Sequence, residues 1–195
     1  MEFLGNSASA LEVAEEGLRI ARKWGYQDQI GACAEYVSRM AGGQGRRHRA
    51  IDVLDEIREP QTDYQLFFYL MQRSRALSHA GADRVSERHE VTRRLARIAD
   101  RYQGNWDRLF AYQELAESSA VVKSLDEMRD AVDWMRQLAF EDDTVLRVGM
   151  LRVLRRQLRA TIKQLNEVRE TRSAELVEVM QSWFNLVSVE LQMEV

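Results

Sequence analysis

The side chains of this chain that could carry chemistry are three histidines, one cysteine and a run of three acids. Their spacing argues against each usual use. His48, His79 and His89 stand apart from one another. His89-Glu90 opens like a zinc-protease helix, but Arg93 occupies the place of the second imidazole that such a helix needs four residues on. Cys33 is alone, so it can close no intrachain disulfide and build no cysteine-rich metal site, and its apolar helical neighbours suit a small packing residue. Gly42-Gly43-Gln44-Gly45 runs into arginines and lacks both the preceding strand and the Lys-Ser/Thr pair of a phosphate loop. Glu141-Asp142-Asp143 is read as an acidic helix start, where carboxylates complement the helix dipole. The expectation is a protein that is not an enzyme, with no catalytic, cofactor-binding or metal-binding residues and no cofactor.

Binding chemistry is better provided for. Arg46-Arg47-His48-Arg49 forms one basic stretch. Residues 144–164 form a second, with Arg147, Arg152, Arg155, Arg156, Arg159 and Lys163 and no acid. A helix so charged could lie along a phosphate backbone, which makes nucleic acid the alternative partner. Residues 165–195 carry six acids against two bases, enough to neutralise that helix if the tail folds back. The net charge of −3 gives no global argument for nucleic acid or anionic lipid.

These residues must be positioned by helices. The chain has one proline, 45% apolar and 30% charged residues, and long uninterrupted segments. No run of 18 apolar residues could span a bilayer, and the start lacks a signal peptide's basic and apolar regions, so no membrane role and a cytoplasmic location are expected. Apolar residues at three- and four-residue spacing predict helices over 8–24, capped by Asn6 or Ser7 and stopped by Gly25, and over 28–41, with Asp28 as a possible cap. The third spans 46–58 and closes at Glu59-Pro60. Thr62 or Asp63 caps a fourth to about Ala80, and its Leu66-Phe67-Phe68-Tyr69-Leu70-Met71 run is too apolar for one-sided burial. A basic fifth covers 83–102, and Gly104-Asn105 starts a sixth to about Lys123. Ser124-Leu125-Asp126-Glu127 has the pattern of a capping box and opens a seventh to about Phe140. From Asp143 a long apolar stripe runs to Val168, is broken by Glu170–Glu175, and resumes at Leu176. Either one helix crosses the gap, or Thr171 or Ser173 caps a second that folds back, which is the preferred reading.

Ser38-Arg39-Met40-Ala41, Ser74-Arg75-Ala76-Leu77 and Ser118-Ser119-Ala120-Val121 recur 36 and 44 residues apart, each before a break and a further helical run. That period is one helix pair. Ser38, Gly45 and Ala50 are similar in register to the tetratricopeptide repeat (TPR) motif. Ser74 and Gly81 also match, with Ser86 in place of the alanine. Ser118 matches, with Leu125 in place of the glycine and Ala131 one place late. Residues 8–140 thus resemble a degenerate TPR array of the bacterial signalling-regulator type. The resemblance implies an all-α fold of antiparallel helix pairs stacked as a solenoid, dividing into TPR-like repeats over 1–140 and a helical extension over 141–195. It also implies a scaffold that binds a protein or peptide in a concave groove, as a sensor, adaptor or regulatory module. Groove positions fall on Arg39 and Arg75, with Glu35 beside Arg39, and on Phe68, Met71, Tyr112 and Leu115. The small serines are expected at helix crossings.

The tail is expected to self-associate as a homodimer. Leu158, Leu165, Val179, Leu186 and Met193 fall on a seven-residue series interrupted by Arg172, and the last helix has more apolar surface than a solenoid's terminal helix needs. Leu176, Val179, Met180, Trp183, Leu186 and Val187 are the interface candidates.

Overall fold

The computed structural model describes residues 7–25, 27–43, 46–56, 59–60, 62–78, 82–102, 104–142, 145–167 and 171–193. Every regular element among them is helical: α1 (Ser7–Trp24), α2 (Gln27–Gly43), α3 (Arg47–Asp55), α4 (Asp63–Leu77), a 3-10 turn (Ala82–Arg84), α5 (Val85–Tyr102), α6 (Asn105–Val121), α7 (Leu125–Glu141), α8 (Arg147–Glu167) and α9 (Thr171–Met193). The tail is therefore two helices, as preferred from the sequence. The contacts gather into two compact units, Met1–Val91 and Thr92–Val195, and the division falls within α5 rather than near residue 140.

In the first unit α1 packs on α2, α2 on α3 and α4, and α3 on α4. Gly25 ends α1 at a φ of +70°, which glycine adopts without a Cβ penalty. Gly17 sets how closely α1 approaches α2: a Cβ there would lie 3.3 Å from Cys33 Sγ. Asp28 lies inside α2 rather than before it, and Asn6 is outside the described residues. Thr62 caps α4, its Oγ1 accepting from the Gln65 amide at 3.4 Å. Phe67, Tyr69, Leu70, Met71 and Gln72 are all buried, so α4 is enclosed around most of its circumference, as its composition demanded.

The first unit also carries an ion-pair network. Arg73 on α4 reaches Asp55 at 2.7 Å and Glu87 at 2.6 Å, and Arg84 reaches Glu87 at 2.7 Å. Burial pushes the Glu87 carboxyl up, but hydrogen bonds from Arg84 and Arg73 outweigh it and hold the group below the usual carboxylate range. Burial likewise disfavours charged Arg73, and its bonds to Glu87 and Asp55 still raise its pKa.

In the second unit α6 packs on α7, α7 on α8 and α8 on α9, with further contacts of α6 on α8 and α7 on α9. One apolar core runs through it, including Leu109, Met128, Met135, Met150, Leu151, Leu154, Leu158, Met180 and Val187. The tail helices share that core with α6 and α7. Gly149 lets Trp106 of α6 approach α8, since a Cβ there would meet the indole ring at 3.1 Å.

Two local expectations are corrected. Ser124 precedes α7 without a side-chain capping bond, and the Glu127 carboxylate that would complete the box is instead held by Arg93 at 2.7 and 3.1 Å and by the Ser119 hydroxyl at 3.3 Å, while the Ser124 amide donates to the Ser119 carbonyl at 2.8 Å. Glu141 and Asp142 end α7 instead of starting α8, and buried Asp142 accepts from Asn105 Nδ2 at 3.2 Å. α6 ends through a left-handed residue that is not glycine: Lys123, at a φ of +60°.

Candidate interaction surfaces

The repeated serines are buried. Ser38, Ser74 and Ser118 are 3%, 0% and 1% exposed, consistent with the small side chain that each site was expected to need. Ser118 shows why the residue is polar as well as small. Its hydroxyl lies 2.6 Å from Thr92 Oγ1 on α5 and also donates to the Leu115 carbonyl. The close approach is thus made to α5, the helix before it, where hydroxyls satisfy each other in an apolar setting.

The groove candidates separate. Arg39 is exposed and lies over the Tyr36 ring at 4.5 Å. Arg75 is exposed in the last turn of α4, where a cation complements the helix dipole. Phe68 is half-buried and meets Tyr64 and Phe67 edge-on at 5.0 and 5.3 Å. Met71 is buried in the first unit, so it offers no groove surface. Tyr112 and Leu115 belong to the core of the second unit. Tyr112 stacks on Trp134 and donates its hydroxyl to Asp100 at 2.7 Å, and burial first, then that bond, pushes the phenol's pKa well up. The side chain of Glu35 is outside the described residues.

The terminal hairpin carries the surfaces that the fold leaves open. Arg147 on α8 pairs with Glu190 on α9 at 2.8 Å, which ties the start of one helix to the end of the other and makes them antiparallel. The inner face of α9 is Leu176, Met180, Val187 and Leu191, all buried. Three of the six interface candidates, Leu176, Met180 and Val187, are therefore covered within the chain. Trp183 is half-buried and holds the Arg136 guanidinium over its ring at 5.3 Å. Val179 and Leu186 do face outward, 38% and 44% exposed, with Val189 at 53% and Met193 at 70%. The seven-residue series splits: Leu158 and Leu165 fill the core, while Val179, Leu186 and Met193 line the surface.

The opposite exposure holds on α8. Leu151, Leu154, Leu158, Thr161 and Leu165 point inward. Arg152, Arg155, Arg156, Arg159 and Lys163 all point outward. At 100° per residue these five occupy one arc of about 100°. Among the described residues, the expected neutralisation by the folded-back tail is confined to Arg147. The exposed carboxylates Glu175 and Glu178 of α9 and Glu167 of α8 make no ion pair with the five cations among the described residues. Arg159 does lie over the Phe184 ring at 5.7 Å. In the other basic stretch Arg49 is engaged by Glu15 at 3.3 Å, while Arg46 and His48 are exposed.

Among the described residues, no group of three or more His, Cys, Asp or Glu could hold a metal ion, and no helix is long and apolar enough to cross a membrane. No protein-family model matches the chain, and no curated protein matches its sequence.

Proposed function

We propose that this chain is a TPR-like helical scaffold without catalysis of its own, acting as an adaptor or regulatory module that binds protein and pairs with a second copy of itself through α9. The observation that carries the reading is the row Val179, Leu186 and Met193, exposed at seven-residue spacing on a helix whose other face is already buried. Seven-residue spacing keeps a seam turned toward a partner helix in a left-handed crossing. Val189 and the exposed edge of Trp183 widen the row into an apolar strip, which gains about 25 cal/mol for each Å² removed from water. Stacked helix pairs are supported by the packing of each tail helix on its sequence neighbour and on the next but one. Three buried serines at repeat spacing support the same reading. A lone cysteine suits a reducing compartment such as the cytoplasm.

Light scattering at micromolar concentration tests the pairing. The native chain should weigh twice its 22.7 kDa, and Leu186→Glu should return it to 22.7 kDa with its helix content kept. Leu186 is the better test site than Trp183, whose change would also disturb Arg136. A native chain that stays at single mass, or a Leu186→Glu chain that stays double, overturns the pairing through α9.

A further inference from the structure

We propose that the outer face of α8 binds the phosphate backbone of a nucleic-acid duplex. Arg152, Arg155, Arg156, Arg159 and Lys163 share that face. From Arg152 to Lys163 the helix advances about 17 Å at 1.5 Å per residue. Phosphates along one strand of a duplex advance about 3.4 Å each, so the row spans about five of them. Several arginines on other helices are held in ion pairs: Arg19 with Glu16, Arg73 with Asp55 and Glu87, Arg93 with Glu127, Arg136 with Asp133. On α8 a chain of net negative charge keeps five cations on one face that, among the described residues, make no ion pair with a carboxylate, exposed Glu167 included. Mutual repulsion makes such a row unfavourable alone, and an external polyanion relieves it by releasing its own condensed counterions.

The composition of the face selects among polyanions. A helix that lies in a lipid surface must sink an apolar face into it, and the apolar face of α8 is already inside the protein core. A bound peptide needs apolar anchors, and between Leu151 and Leu165 the one exposed apolar residue is the small Ala160. Single strands are held by stacking on aromatic rings, and the exposed arc of α8 has none. Regularly spaced guanidinium groups without anchors or rings fit the outside of a duplex, read without regard to base sequence. Arg46 and His48 are not needed for this site.

The test is fluorescence anisotropy of a labelled DNA duplex and an RNA duplex titrated with the full chain at several salt concentrations. Five phosphate contacts predict a log-log salt slope of about −4.5 on duplex DNA, hence a fall in affinity of about five-hundredfold between 50 and 200 mM salt. The double variant Arg152→Gln/Arg156→Gln should flatten that slope by about 2. Arg155→Gln/Lys163→Gln should do the same, and serves if the first pair loses helix by circular dichroism. Arg129→Gln, which breaks a pair with Asp130 on another helix, should leave the slope unchanged. The proposal is overturned by no anisotropy change at low salt, by a slope that the α8 variants leave intact, or by tighter binding to anionic vesicles than to either duplex.

Discussion

The two compact units hold their helices by different balances of apolar burial and ion pairing. In the second unit the largest fully buried side chains are Leu95, Leu109, Met128, Met135, Met150, Leu151, Leu154 and Leu158. In the first they are Leu18, Leu54, Phe67 and Leu70, and the end of α3, α4 and the start of α5 are also joined by the Asp55–Arg73–Glu87–Arg84 network. Apolar bulk responds to volume and is indifferent to pH. Ion pairs respond to pH and, where half exposed, contribute little each. Arg93–Glu127 and Arg147–Glu190 also join helices of the second unit, so the difference is one of degree. The first unit, with its network and lowered Glu87 carboxyl, should be the more acid-sensitive, and the second, with its larger apolar core, the more sensitive to cavities.

The largest effect should come from the second unit. Leu154 is wholly buried in its core, so Leu154→Ala should cost about 2–5 kcal/mol, the transfer term plus the cavity left behind. Urea unfolding followed by circular dichroism measures it. A cost below about 1 kcal/mol would show that the helices close over the gap, and that the core is less tightly packed than its burial indicates.

A smaller effect should come from the network in the first unit. The Glu87 pKa is lower in the fold than in the unfolded chain. Its contribution is therefore complete above the ordinary glutamate value of about 4.3 and is lost as pH falls through the lowered folded value. Asp107 in the second unit has the opposite sign, because burial raises its pKa. It weakens the fold when ionised, and that weakening is relieved on acidification. Hydrogen exchange by mass spectrometry, corrected for intrinsic rates, should show α3 and α4 losing protection on acidification before α6 to α8. Glu87→Gln should lower the stability of the first unit by about 1 kcal/mol at neutral pH, the range for partly exposed pairs, and remove its share of the acid sensitivity. Loss of protection at the same pH in both units would erase the contrast.

What the sequence made legible follows the same division between periodicity and partners. Helix spans, the tail hairpin, the enclosed α4 and the buried serines all follow from spacing and residue size. Spacing cannot tell an apolar residue in a groove from one in a core, so Met71, Tyr112 and Leu115, groove-facing by repeat register, lie inward. It places Leu176 and Val179 on one apolar strip, and only the position of α8 decides that the first is covered and the second is not. Glu127 has the right spacing to cap α7, but its spacing carries no information about Arg93, 34 residues earlier. The unneutralised face of α8 was half legible: its charges were evident, whereas their distance from the tail's acids needed the hairpin's geometry.

The smallest effect concerns the one residue among those described, other than glycine, with positive φ. The close of α6 is a left-handed turn, with the Ser124 amide donating to the Ser119 carbonyl at 2.8 Å across Lys123. This is the closure that usually selects glycine, because a Cβ in that region crowds the following carbonyl. The first unit ends α1 in the same region with Gly25 and carries no such strain there. Lys123→Gly should relieve about 1 kcal/mol of crowding, offset in part by the greater freedom that glycine gives the unfolded chain. A net gain of about 0.5 kcal/mol is expected from urea unfolding. Lys123 is exposed, so little packing is removed. A loss of stability would mean that the lysine makes a favourable contact with the last carbonyls of α6 that exceeds its strain. The contrast between the units would then extend from their cores to the way they close their helices.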